Sequence, residues 1–257
     1  NDQMSKILRV YALPKLVEPE ELAGGTAVVI DVLRSCTTIV YALASGARQI
    51  IPCPSVEEAR ATARNFPTGT VLLGGEQGGL PIEGFDLGNS PQEYTPERVG
   101  DKTIVLATTN GTKAMLHCRS ADRVLIAAFV NASAVCQRLL VEDRIHLVCA
   151  GTDGQISEDD VLLAGMLVDR IVRDCGPAHE QNAQALTARE TWLHRFALPQ
   201  SLGAEPLAPQ LLAGELRRSL GGRNLTAIGM DADILAAAEV DRFACVPQLD
   251  TATLVIQ

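Results

Sequence analysis

Five polar stretches in this 257-residue chain carry side chains suited to holding an anion, a metal ion or both. Asp31-Val32-Leu33-Arg34-Ser35 puts a carboxylate, a guanidinium and a hydroxyl into one turn. Arg34 offers a planar fork to two phosphate oxygens, Ser35 and free helix N–H groups add donors, and Asp31 can hold a cation. The same residues also suit an Asp–Arg ion pair beside a helix cap. Gly74 to Gly79 (GGEQGG) lets backbone approach a ligand closely and presents one carboxylate, Glu76. Gly84 to Pro91 (GFDLGNSP) reads on its residue types as a series of turns. Thr108 to Thr112 (TTNGT) is either an anion cradle with a backbone nest or an ordinary capped Asn-Gly turn. Ser157 to Asp160 (SEDD) has the look of a capping box, and the helix dipole favours Glu158, Asp159 and Asp160 in a first turn. Together with Asp31 they also make a hard-cation site, because Mg²⁺ takes one or two carboxylates plus water and phosphate oxygens.

Other chemistries are poorly served. The glycine loop matches neither the Walker pattern nor G-x-G-x-x-G. No cysteine begins a C-x5-R motif, and there is no G-x-S-x-G elbow. The histidines at 117, 146, 179 and 194 are isolated, which disfavours zinc. Asp231-Ala232-Asp233 has the outline of a haloacid-dehalogenase-type nucleophile motif. Leu235 stands where Thr or Val is expected, so the outline is read as coincidence.

Three of the polar stretches follow apolar runs and precede helical patterns. Thr26–Ile30 leads through Asp31 to Ser35 into a helix over Thr37–Ser45. Thr103–Ala107 leads through the TTNGT turn into a short helix over Lys113–Cys118. Ile145–Ala150 leads into a long helix from about Ser157 to Arg173. Further strands are expected at Gln49–Pro52, Val71–Gly74 and Val124–Ala128, and a long ordered loop over Gly74–Pro96. Continuous apolar strands alternating with helices predict an α/β fold: α/β/α layers, a mostly parallel or mixed sheet, and a site at the carboxyl ends of the strands. The texture changes near 176–182. Beyond it, helices over Ala183–Ala197 and Pro209–Leu220 are expected, with Pro/Gly-rich connections at 199–206 and 221–224. The length suits one domain over residues 1–257, or two α/β lobes meeting near that change.

Composition narrows the partners. A net charge of −9 argues against nucleic acid, whose phosphates select basic surfaces. No apolar run reaches the ~18 to 20 residues that cross a bilayer, and the first ten residues lack a signal-peptide pattern. Seven scattered cysteines without a C-x-x-C pair read as reduced thiols, hence a cytoplasmic protein. A small anionic phosphoester is the expected partner, and a homo-oligomer is compatible with the sequence.

Read together, the turns resemble the 2-phosphosulfolactate phosphatase family of coenzyme M biosynthesis. The resemblance is carried by Asp31-Val32-Leu33-Arg34 with Thr37-Thr38, Gly75-Glu76, the GFDLGNSP and TTNGT runs, and Cys149-Ala150-Gly151. Ser157 to Gly165, Asp233-Ile234, Val240-Asp241 and Val246-Pro247 extend it. It implies an Mg²⁺-dependent phosphatase converting (2R)-2-phospho-3-sulfolactate into 3-sulfolactate and phosphate. A phosphatase of a related 2-phospho-hydroxy acid such as phospholactate, and a non-catalytic metabolite binder, are the alternatives. Carried over residue by residue, the resemblance gives catalytic roles to Asp31, Arg34, Glu76, Asp86 and Asn110. Substrate contacts fall to Arg34, Ser35, Thr37, Thr38, Asn89, Ser90, Thr109, Asn110, Gly111 and Thr112, and Mg²⁺ ligation to Asp31, Glu76, Asp159 and Asp160. Two departures stand out: Gln77 replaces the arginine usual after Gly-Glu, a position expected to face the pocket and meet the substrate's second anionic group, and Asp159-Asp160 replaces a usual Glu-Asp.

Overall fold

Val, Ile and Leu fill the strand runs, and in the computed structural model, which describes residues 6–176, 179–197 and 207–257, those runs form the sheet. In chain order the first half comprises β1 (Ile7–Tyr11), β2 (Thr26–Ile30), α1 (Ser35–Ala44), β3 (Gln49–Cys53), α2 (Val56–Ala63), β4 (Val71–Gln77) and β5 (Leu80–Pro81). There follow α3 (Pro96–Val99), β6 (Thr103–Ala107), α4 (Gly111–His117), β7 (Arg123–Ala127), α5 (Ala132–Leu139), β8 (Arg144–Cys149) and α6 (Glu158–Cys175). The remainder is β9 (Glu180–Gln181), α7 (Ala183–Trp192), α8 (Pro209–Leu216), α9 (Leu220–Ala227), α10 (Asp231–Ala237), β10 (Gln248–Asp250) and β11 (Val255–Ile256).

The strands described form one mixed sheet in the order β5-β4-β6-β3-β11-β10-β7-β2-β8-β1-β9. One parallel block contains β7, β2, β8, β1 and β9, with Val28 opposite both Leu125 and Leu147. A second contains β3, β6 and β4. The β10–β11 hairpin joins them through three successive antiparallel pairings, so the blocks run in opposite senses.

They nonetheless share a core. Ala27 and Val29 of β2 and Ile104 and Leu106 of β6 face one apolar cluster built on Ile39 and Ala42 of α1 and Met115 of α4. The alternate residues Val28 and Ile30 face a second cluster, covered by α5 to α10. Val105 and Ala107 face a third, under α2. Every residue of β2 and β6 is buried, as strands covered on both faces must be. The sheet thus wraps around α1 and α4, and the exits of β2, β4, β6 and β8 meet at one cavity. This is the expected α/β class, with helices on both faces of a mostly parallel sheet.

Several local expectations need correction. β4 runs on to Gln77, because Gly74 and Gly75 pair with Leu106 and Ala107 where a loop was expected. Residues 221–224 are helical, not a connection: Ser219 accepts a hydrogen bond from Gly222 N at 2.9 Å and starts α9. The helix expected to run to Leu220 stops at Leu216. Ser157 does not cap α6 with its side chain; its hydroxyl turns to Asp159. The connection expected at 199–206 lies outside the described residues. None of the described helices is long and apolar enough to cross a membrane.

Candidate active site

Asp31 leaves β2 buried, only 5% exposed, and its Oδ1 accepts from Ser35 N at 3.3 Å at the start of α1. The TTNGT turn after β6 presses against it. A Cβ on Gly111 would lie 2.5 Å from Ser35 Cβ and 2.7 Å from Asp31 Oδ2, so only glycine lets α4 begin here. Glu76, near the end of β4, accepts from Thr109 N at 2.7 Å and from Gly79 N at 2.7 Å, locking the exits of β4 and β6 together. Asp160 accepts from Val32 N at 2.8 Å and Gly151 N at 2.9 Å, doing the same for β2 and β8.

The strand exits joined in this way enclose a cavity of about 300 Å³. Asp31, Arg34, Ser35, Glu76, Asn89, Thr109 and Asn110 line it, joined by Thr152 and Asp153 after β8. Gly221, Asn224, Leu225 and Ile228, in and just after α9, form the facing wall. Arg34 is the one cation among the lining residues. Its Nη1 donates to Asp233 Oδ2 at 2.8 Å and its Nη2 to the Gly79 carbonyl at 2.7 Å.

Negative charge therefore dominates. Asp31 is pushed up to about 7, mainly by burial and further by the charges of Asp159 and Glu76. Burial and the charges of Asp159 and Asp31 hold Asp160 well above the carboxylate range, and burial raises Asp159 too. Acids crowded without a counter-charge resist ionising, and a bound cation would relieve them. Among the described residues no three His, Cys, Asp or Glu side chains converge as a ready-made metal cage. The arrangement fits an ion that keeps most of its ligands as water and phosphate oxygens, which is the habit of Mg²⁺, and does not fit structural zinc. Asp159 and Asp160 do not line the cavity, and Asp160 braces the backbone with both oxygens, which leaves Asp31 and Glu76 as the expected ligands that stand on the wall.

Comparison with known proteins settles the lineage. The model of the family described as 2-phosphosulpholactate phosphatase matches residues 11–252. The chain belongs to that family. A probable 2-phosphosulfolactate phosphatase of Symbiobacterium thermophilum is 41% identical over 229 residues, 89% of this chain and 92% of the relative. One from a Synechococcus species is 38% identical over 238 residues, covering 90% and 92%. One from Thermotoga petrophila is 48% identical over 149 residues, covering 58% and 63%.

In this phosphosulfolactate phosphatase-family chain, several residues expected at the site stand behind it. Thr37 and Thr38 are fully buried, donating to the Val32 carbonyl at 2.7 Å and the Asn89 carbonyl at 2.9 Å. Thr112 is buried against Thr108, whose hydroxyl accepts from Thr112 N at 3.2 Å. Ser90 turns from the cavity to donate to Asp233 Oδ1 at 2.5 Å. Asp86 is exposed and accepts from Leu73 N at 2.8 Å, pinning its loop to β4 and lining no part of the cavity. Gln77 is exposed and absent from the lining, since consecutive strand residues point to opposite sides. Asp233, set aside in the sequence as coincidence, proves to be the partner of Arg34; its place in the Asp233-Ile234 pair was the available signal. Thr152, Asp153 and Asn224 carried no signal of their own.

Proposed function

We propose that the protein is an Mg²⁺-dependent phosphatase that hydrolyses (2R)-2-phospho-3-sulfolactate to 3-sulfolactate and phosphate. The observation carrying this reading is the charge arrangement of the cavity: three carboxylates on its wall, Asp31, Glu76 and Asp153, against one arginine, with strand-end turns rich in neutral donors. Such a wall repels a bare phosphate ester and accepts one together with a divalent cation. The names of the relatives, each a probable 2-phosphosulfolactate phosphatase, support the substrate.

Asp31 and Glu76 are the residues to hold Mg²⁺, which when bound would polarise the phosphoryl group and offset its developing charge. The chain's own groups supply orientation, the larger part of phosphoryl-transfer catalysis. Arg34 lines the cavity and is held by Asp233, Met230 and Gly79, so the N–H groups not spent on them are the ones available to an oxyanion. Asp153 N donates to Asn110 Oδ1 at 3.2 Å, leaving the Asn110 amide N–H groups as donors for an oxyanion. Ser35, Thr109 and Asn224 add neutral donors for a substrate whose sulfonate and carboxylate bring further charge. Leu225 and Ile228 on the facing wall restrict water.

The test is phosphate release from a panel of phosphoesters, with and without metal. Chelator should abolish release from phosphosulfolactate and added Mg²⁺ restore it. Asp31→Asn should lose on the order of a hundredfold or more in turnover while staying folded. Full turnover in excess chelator removes the metal from the mechanism, and no release from any ester leaves a metabolite binder.

A further inference from the structure

Asp233 lies on α10, nearly two hundred residues along the chain from Arg34, and lines no part of the cavity. It is 3% exposed, and both of its oxygens are committed. Oδ2 takes the hydrogen bond from Arg34 Nη1 at 2.8 Å, and Oδ1 takes that from the Ser90 hydroxyl at 2.5 Å. We propose that Asp233 is the positioning residue that sets two polar groups of the cavity wall at once, the Arg34 guanidinium directly and the Asn89 amide through Ser90. The proposal rests on the phosphatase reading above.

Three observations make the geometry purposeful. First, the Arg34–Asp233 pair is shut away from solvent, with side-chain exposures of 3% and 4%, so neither group swings freely into water. Second, Asn89 precedes Ser90, lines the cavity and is itself held from behind, its carbonyl accepting from Thr38. Its side-chain Oδ1 has no hydrogen-bond partner and is buried, which is unusual for a polar atom unless a ligand or a flipped amide completes it. Third, the cavity offers Arg34 other carboxylates, Asp31 and Glu76. A guanidinium released from Asp233 would turn to them, both misdirecting its fork and blocking the acids that a cation needs. Asp233 thus acts by competing for Arg34 as much as by holding it.

A double-mutant cycle separates positioning from mere structure. Asp233→Asn should lower kcat/KM roughly ten- to a hundredfold, the worth of one charge-assisted hydrogen bond. The loss should fall mainly on kcat, because the groups it aligns act on the transition state. In an Arg34→Gln background the same change should cost less than about twofold, since its main route of action is gone. Asp233→Glu should recover part of the loss and Ser90→Ala reproduce part of it. A second cycle reads the Kd for inorganic phosphate, with Mg²⁺ present, by calorimetry. Full additivity of the Asp233→Asn and Arg34→Gln losses overturns the proposal, as does an unchanged kcat/KM in a folded Asp233→Asn protein. Should Asp233→Asn not fold, Asp233→Glu and Ser90→Ala carry the cycle against Arg34→Gln with the same two outcomes. A wild type that binds phosphate without turning over any ester defeats the phosphatase reading and leaves the phosphate cycle to decide this one. A wild type that does neither defeats both.

Discussion

Glu76 and Gln77 are neighbours with opposite fates, and strand parity is the reason. β4 continues through both residues, so the Glu76 carboxylate reaches the cavity and the Gln77 side chain turns outward to solvent. In the sequence the stretch looked like an ordered glycine-rich loop, where no parity applies, and an arginine usual at position 77 suggested a second anion contact. The structure removes that role from this chain. Gln77→Arg is therefore expected to change kcat/KM for phosphosulfolactate by less than about twofold, the range of an exposed substitution. Steady-state kinetics on both proteins checks it, and a tenfold gain would mean that the hairpin tip rotates to bring residue 77 inward. At this scale the legible part of the site was the charged residues at strand exits, Asp31, Arg34 and Glu76, because such types are rare there without a task. Thr37, Thr38 and Asp86 misled for the complementary reason: a polar side chain near a site can serve the backbone just as well, and sequence does not say which way it faces.

Elements position those residues through backbone contacts that glycine alone permits. Gly75 adopts φ +137°, and a Cβ there would sit 1.9 Å from the Ala107 carbonyl oxygen across the β4–β6 pairing. That pairing places Glu76 Oε1 on Thr109 N and thereby joins two walls of the cavity. Gly75→Ala should break the register locally, costing about 1 to 3 kcal/mol or more in stability and nearly all activity. Gly69→Ala is the control. It also has positive φ, +82°, but no atom lies within 4 Å of the added carbon, so it should cost about 1 kcal/mol and leave turnover intact. Urea titration and phosphate release on the pair distinguish a clash in the sheet from simple backbone strain. The core strands other than β1 were legible because burial on both faces leaves a continuous apolar run; in β1 that run is broken by Arg9, and the strand was not expected. β5, β9, β10 and β11, two or three residues each, are too short to show any period. α9 was missed because its Gly221-Gly222 start imitates a turn.

Across the whole molecule the last ten residues do the joining. Leu249 pairs with Val124 and Ile256 with Ile50, and both side chains are essentially fully buried in the cluster shared by the two parallel blocks. If that shared core makes the blocks one cooperative unit, weakening the hairpin must weaken structure far from it. The single tryptophan provides the reporter. Trp192 packs with Phe129 and Phe196 in the cluster under α5 to α10, on the opposite face of the first block from the hairpin's apolar residues. Ile256→Ala should cost about 2 to 5 kcal/mol, the range for a buried large-to-small change. The urea midpoint should drop by the same amount whether followed by Trp192 fluorescence or by far-UV circular dichroism, with the slope m unchanged. Independent blocks give a different signature: dichroism shifts, Trp192 holds its midpoint, and m falls because less surface is exposed in each step. A common shift would mean that the active-site walls, drawn from β2 and β8 on one side and β4 and β6 on the other, are held in register by a hairpin that contributes no side chain to the cavity.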